Sequence, residues 1–76
     1  MTISMHQTTL ETTGGVVEVS LHLNKETHEV IKCRCKLQGE PDVLELTPAY
    51  FWAILDADAR EIYDNAVTEL QNTALA

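Results

Sequence analysis

Two stretches of this chain alternate between apolar and, Val30 apart, polar side chains. Val17, Val19, Leu21 and Leu23 alternate with Glu18, Ser20, His22 and Asn24, and a period of two puts the first set on one face of a strand. Residues 29–38 repeat the pattern, with Ile31, Cys33, Cys35 and Leu37 set against Val30, Lys32, Arg34 and Lys36. Lys25, Glu26 and Thr27 lie between the two runs and predict a hairpin. Both apolar sets are odd-numbered, so facing positions must sum to an even number if the sets are to share a face. A loop of Lys25–Thr27 meets that condition. It sets Leu21 opposite Ile31, Val19 opposite Cys33 and Val17 opposite Cys35, with Glu18 meeting Arg34 and Ser20 meeting Lys32 on the other side.

Gly39-Glu40-Pro41 is a turn signal. Asp42–Leu46 then reads as a short strand with Leu44 and Leu46 inward. The Thr-rich stretch Thr8–Thr12 has weak strand character and folds back through Thr13-Gly14-Gly15 as an edge strand. Residues 1–7 read as a loose tail.

The last third is helical. Thr47 is a good N-cap, and Pro48 follows at the first helical position, where its missing N–H costs nothing. At about 100° per residue, Phe51, Trp52, Leu55, Ala59, Ile62, Tyr63, Ala66 and Leu70 gather on one side. Arg60, Glu61, Asp64, Asn65, Thr68 and Asn72 gather on the other. Tyr50 and Ile54 break the pattern, because on a straight helix they fall on the polar side. Two explanations are open. Either the helix bends at Asp56-Ala57-Asp58, with Asp56 or Asp58 capping a second helix and Asp58 with Glu61 forming a capping box, or a partner covers the pair.

These elements predict an α+β fold: a three- or four-stranded antiparallel meander with a C-terminal helical layer, one helix or two, on one face. Strands occupy 8–47 and helix 48–74. With 76 residues there is room for one small domain, and a 45% hydrophobic share marks a globular chain.

Charge sharpens the functional reading. The net charge is −7. Residues 1–39 are balanced, because Glu11, Glu18, Glu26 and Glu29 offset Lys25, Lys32, Arg34 and Lys36. All of the excess lies in 40–76, where Glu40, Asp42, Glu45, Asp56, Asp58, Glu61, Asp64 and Glu69 face Arg60 alone. Such a balance argues against direct binding to nucleic acid or an anionic membrane. Lys32, Arg34 and Lys36 form a short basic row, which reads as a solvated sheet face with cross-strand pairing. The longest run without a polar residue, Ala49–Leu55, falls far short of the ~20 residues that span a bilayer. Residues 1–7 carry no Lys or Arg and no long apolar run follows, so no secretion signal is expected. Two cysteines in that setting make a reducing, cytoplasmic compartment the default.

Candidate chemistry is sparse. Cys33-x-Cys35 offers two thiolates, but parity puts both inward and His22 outward, and C-x-C lacks the spacing of a zinc knuckle. The cysteines therefore read as small buried apolar residues, and no metal or cofactor is expected. Ser20 and His22 point the same way on one strand with only Glu18 to orient the histidine. Ser4 falls in the loose tail. Asp56 and Asp58 diverge on a helix. No catalytic constellation is expected.

The sequence points instead to a small acidic, non-enzymatic protein-interaction module, an inhibitor or adaptor in the manner of phage- or plasmid-encoded anti-defence proteins that present carboxylates in place of phosphates. This likeness is of composition alone. Its partner would be a protein with a basic surface, met by Tyr50, Trp52 and Ile54 together with Asp56, Asp58, Glu61, Asp64 and Glu69. A homo-oligomeric (dimeric) structural subunit is the alternative, and a metal or small-ligand binder through His22, His28, Cys33 and Cys35 is the third.

Overall fold

A computed structural model describes residues 2–75, with side chains as far as residue 72. Four strands, β1 (Ile3–Thr12), β2 (Gly15–Asn24), β3 (Val30–Leu37) and β4 (Val43–Leu46), form one antiparallel sheet in the order β1-β2-β3-β4. Two helices, α1 (Pro48–Leu55) and α2 (Ala57–Leu75), follow and cover one face. The α+β meander with a bent helical layer is therefore the fold.

The odd-numbered side chains of β2 line the interior: Val19, Leu21 and Leu23 are almost wholly buried, with Cys33, Leu46, Phe51, Ala59, Ile62 and Ala66 packed about them. Burying each large member contributes about 1.5–3 kcal/mol. Even parity between β2 and β3 holds, but the register is two residues away from the expected one. Val19 faces Cys35, Leu21 faces Cys33 and Ser20 faces Arg34, while Glu18 meets Lys36. The cause is the connection, which is longer than three residues. Asn24 Oδ1 accepts from the backbone N–H groups of Glu26 and Thr27 at 2.8 and 3.1 Å, a local Asx turn. His28 adopts φ 62, and its N–H donates to the Asn24 carbonyl.

A bulge follows. The ladder runs from His22↔Lys32 directly to Leu23↔Val30, leaving Ile31 as the extra residue. Val30 packs on the core as a result, where alternation alone would have sent Ile31. Residues 3–7, expected as a loose tail, belong to β1. They pair with β2 from Ile3↔Asn24 onward, and this puts Ser4, His6, Thr8 and Leu10 on the inner face. The turn from Thr12 to Gly15 depends on glycine: Gly15 has φ 126, and a Cβ there would meet Leu37 Cδ1 at 3.4 Å.

At the other edge Leu46 is buried, as expected. Leu44 shares the inner register with Cys35 yet is 61% exposed, because the helices do not extend over that corner. Thr47 caps α1 by accepting from the Tyr50 N–H at 3.4 Å, with Pro48 next in line. The helices meet at Asp56, whose φ 47 and ψ −117 break the first. Its carbonyl receives the Ala59 and Arg60 N–H groups that start the second. Asp56 is thus the junction, and Asp58 lies inside the first turn of α2 and not at a capping position.

Candidate functional site

The residues singled out for partner binding divide by what the fold does with them. Tyr50 and Ile54 sit one turn apart on α1 and remain 60% and 59% exposed, although their neighbour Phe51 is completely buried. The bend at Asp56 exists, but it does not bring the pair under cover. Trp52 plays a mixed part. Its ring packs edge-on against Phe51 at 5.0 Å and tilted against Tyr63 at 5.4 Å, leaving 39% of the residue exposed. It is a bracket between α1 and α2 as well as a surface residue. Tyr63 in turn donates its hydroxyl to the His28 carbonyl at 2.9 Å, which ties α2 to the β2–β3 loop.

The carboxylates also divide. Asp56, Asp58 and Glu61 are exposed beside the junction, with no ion-pair partner among the described residues. Asp64 is bridged to Arg60 at 3.3 Å one turn earlier, a surface pair worth a few tenths of a kcal/mol. Glu69 lies far along α2, with Oε2 3.2 Å from His6 Nδ1. Tyr50, Ile54, Asp56, Asp58 and Glu61 flank a single helix junction, whereas Asp64 and Glu69 are engaged within the fold.

On the outer sheet face Arg34 pairs with Glu45 at 3.4 Å, and Lys36 lies opposite Glu18. The basic row is thus partly compensated. His22 is on this face and has a lowered pKa. Burial is the larger cause, followed by repulsion from Lys32 and Arg34, with Glu45 opposing. Its Nε2 is buried without a hydrogen-bond partner among the described residues, so no pairing with Ser20 is made there.

Cys33 and Cys35 are free thiols on the inner face with sulfurs 3.9 Å apart. The hydrogen bond between them holds Cys33 protonated, aided by its burial. The same bond lowers Cys35 to about 7 against the opposing effect of burial. Among the described residues, no group of three or more His, Cys, Asp or Glu is arranged to hold a metal. No described helix is long and apolar enough to cross a membrane.

One constellation escaped the sequence reading. Ser4 Oγ lies 2.8 Å from His6 Nε2, and Glu69 approaches the other ring nitrogen. Ser4 and His6 are two apart on one strand, a visible signal once residues 3–7 are read as β1. Glu69 is brought to them only by the packing of α2 on the sheet. Set against models of protein families, curated proteins and solved structures, the chain finds no match in any of the three.

Proposed function

We infer that this chain is a small protein-interaction module whose contact surface is the α1–α2 junction: Tyr50 and Ile54 as apolar anchors, Asp56, Asp58 and Glu61 as the charged border. The observation that carries this reading is the contrast within α1. Phe51 and, at the next turn, Leu55 pack on the core, whereas Tyr50 and Ile54 beside them stay 60% and 59% exposed. Anchors of this kind, an aromatic and an aliphatic residue bordered by charge, are what interfaces use for affinity and steering respectively. The acidic border suits a partner with a basic surface. An inhibitor or adaptor role fits a chain with one small layer of core.

Affinity capture from the native cell, repeated at rising salt, tests it. A partner retained by the parent chain should be lost with Tyr50→Ala/Ile54→Ala. It should bind more weakly with Asp58→Lys/Glu61→Lys, and its retention should fall with ionic strength. Retention that is indifferent to both pairs of substitutions refutes the assignment.

A second reading, self-association, draws on a different observation. Leu37 and Leu44 are 39% and 61% exposed although both occupy inward-facing register positions. A second copy would cover them. Light scattering at high concentration separates the readings, because a strict monomer removes this one.

A further inference from the structure

We propose that Ser4 is an activated nucleophile, a site of acyl transfer from small activated esters or thioesters, with His6 as its general base and Glu69 as the positioning residue. The site lies away from the α1–α2 junction, on the inner face of β1 under the last turns of α2. His6 is 7% exposed there, a polar residue buried among apolar ones.

The arrangement gives each nitrogen of the ring a distinct task. The Glu69 carboxylate stands 3.2 Å from Nδ1. A negative charge at that nitrogen favours the tautomer that carries its proton there. Nε2 is then left with a lone pair, and the Ser4 hydroxyl, 2.8 Å away, donates into it. Nucleophile, base and orienting acid are thus in the order that activates a hydroxyl. The carboxylate lies off the direction of the Nδ1–H bond, since Nδ1 makes no directed hydrogen bond in this state. Glu69 is 64% exposed at its side chain.

A cavity of about 300 Å³ opens beside this pair, lined by Ser4, His6, Lys25, His28, Glu69 and Leu70 among others. Its size suits a small acyl group. Lys25 brings a positive charge to the wall, of the sign that favours the oxyanion formed on attack. In the reaction the bond from Ser4 Oγ to the acyl carbon forms as the bond to the leaving oxygen or sulfur breaks. The Ser4 proton passes to His6 Nε2 and from there to the leaving group. The product is an O-acyl serine, and no oxidant or metal is required.

The probe is p-nitrophenyl acetate added to the whole chain, with the acetylated residues mapped and timed by fragment mass spectrometry. Ser20, also half-buried and the only other serine of the chain, is the internal reference. Ser4 should be acetylated about a hundredfold faster than Ser20 or more, the lower end of what a positioned base supplies. His6→Gln should abolish that excess. Glu69→Gln, at an exposed position, should slow Ser4 labelling several-fold while the urea midpoint stays put, which a purely structural carboxylate would not do. If His6→Gln fails to fold, the Ser4-to-Ser20 ratio in the parent and the Glu69→Gln rate still decide. Equal labelling of the two serines, acetate found on Lys25 in place of Ser4, or a Ser4 excess that survives His6→Gln would each overturn the proposal.

Discussion

Phe51 and Tyr50 are adjacent in the chain, and replacing each by alanine should have opposite consequences. Phe51 is fully buried, is the only buried residue of α1, and carries the edge-on contact to Trp52. Removing such a ring costs about 3–5 kcal/mol, transfer and cavity together. At ~0.05–0.15 kcal/mol per residue, a chain of this length has roughly 4–11 kcal/mol of stability in all. Phe51→Ala should therefore consume about a quarter of it or more, and at the low end of that range it leaves the chain unfolded. Phe51→Leu, losing fewer carbons, should cost about 1–2 kcal/mol and keep the fold measurable. Tyr50→Ala removes a side chain that mostly faces water and should lie within about 0.5 kcal/mol of the parent. Urea unfolding followed by far-UV circular dichroism reads all three. If Tyr50→Ala destabilises as much as Phe51→Leu, Tyr50 is a packing residue and its role as an anchor falls. If Phe51→Ala costs under about 1 kcal/mol, α1 does not dock on the sheet through that ring.

Three further outcomes are expected. Asp56 occupies a backbone region, φ 47 and ψ −117, that suits glycine, so Asp56→Gly should raise stability by about 1 kcal/mol in the same urea assay; a loss would mean that the aspartate side chain does more there than turn the chain. Alkylation of Cys35 by iodoacetamide should reach half its maximal rate near pH 7. Cys33→Ala should move that midpoint up towards the ordinary thiol value by removing the donor, and an unmoved midpoint refutes the coupling. His22 should titrate below 6.5 by proton NMR, because burial and the charges of Lys32 and Arg34 disfavour its cation. The unfolded chain then binds the extra proton, so this stability is complete above pH 6.5 and is lost as pH falls below it. Lys32→Gln should raise the titration midpoint, and a downward shift would contradict the electrostatic cause.

Much of the architecture is legible in local pattern. Alternation in 15–24 and 30–37 marks two strands whatever surrounds them, because a period of two allows only one apolar face. Thr47-Pro48 marks a helix start through backbone chemistry confined to a few residues. The misfit of Tyr50 and Ile54 leaves a bend at Asp56-Ala57-Asp58 and a covering partner both open, and the bend that exists at Asp56 buries neither side chain. Register was less accessible. Parity excluded every odd offset, but the choice between two even ones rested on the Asn24 turn, on His28 at positive φ and on the bulge at Ile31. None of these has an energy that alternation reports.

The sequence by itself determined that the odd-numbered side chains of β2, with Cys33 and Cys35 of β3, enter the interior, where the first helix begins, and that negative charge collects in the second half. Each of these depends on neighbours within a turn or a hairpin. Only the tertiary structure decided that residues 3–7 are strand, that Leu44 stays in water despite its inward register, and that Glu69 reaches His6 across the α2–β1 contact. Those outcomes turn on which elements the helices cover. That is settled by the packing of segments distant in the chain, where burial of the whole core outweighs any local preference.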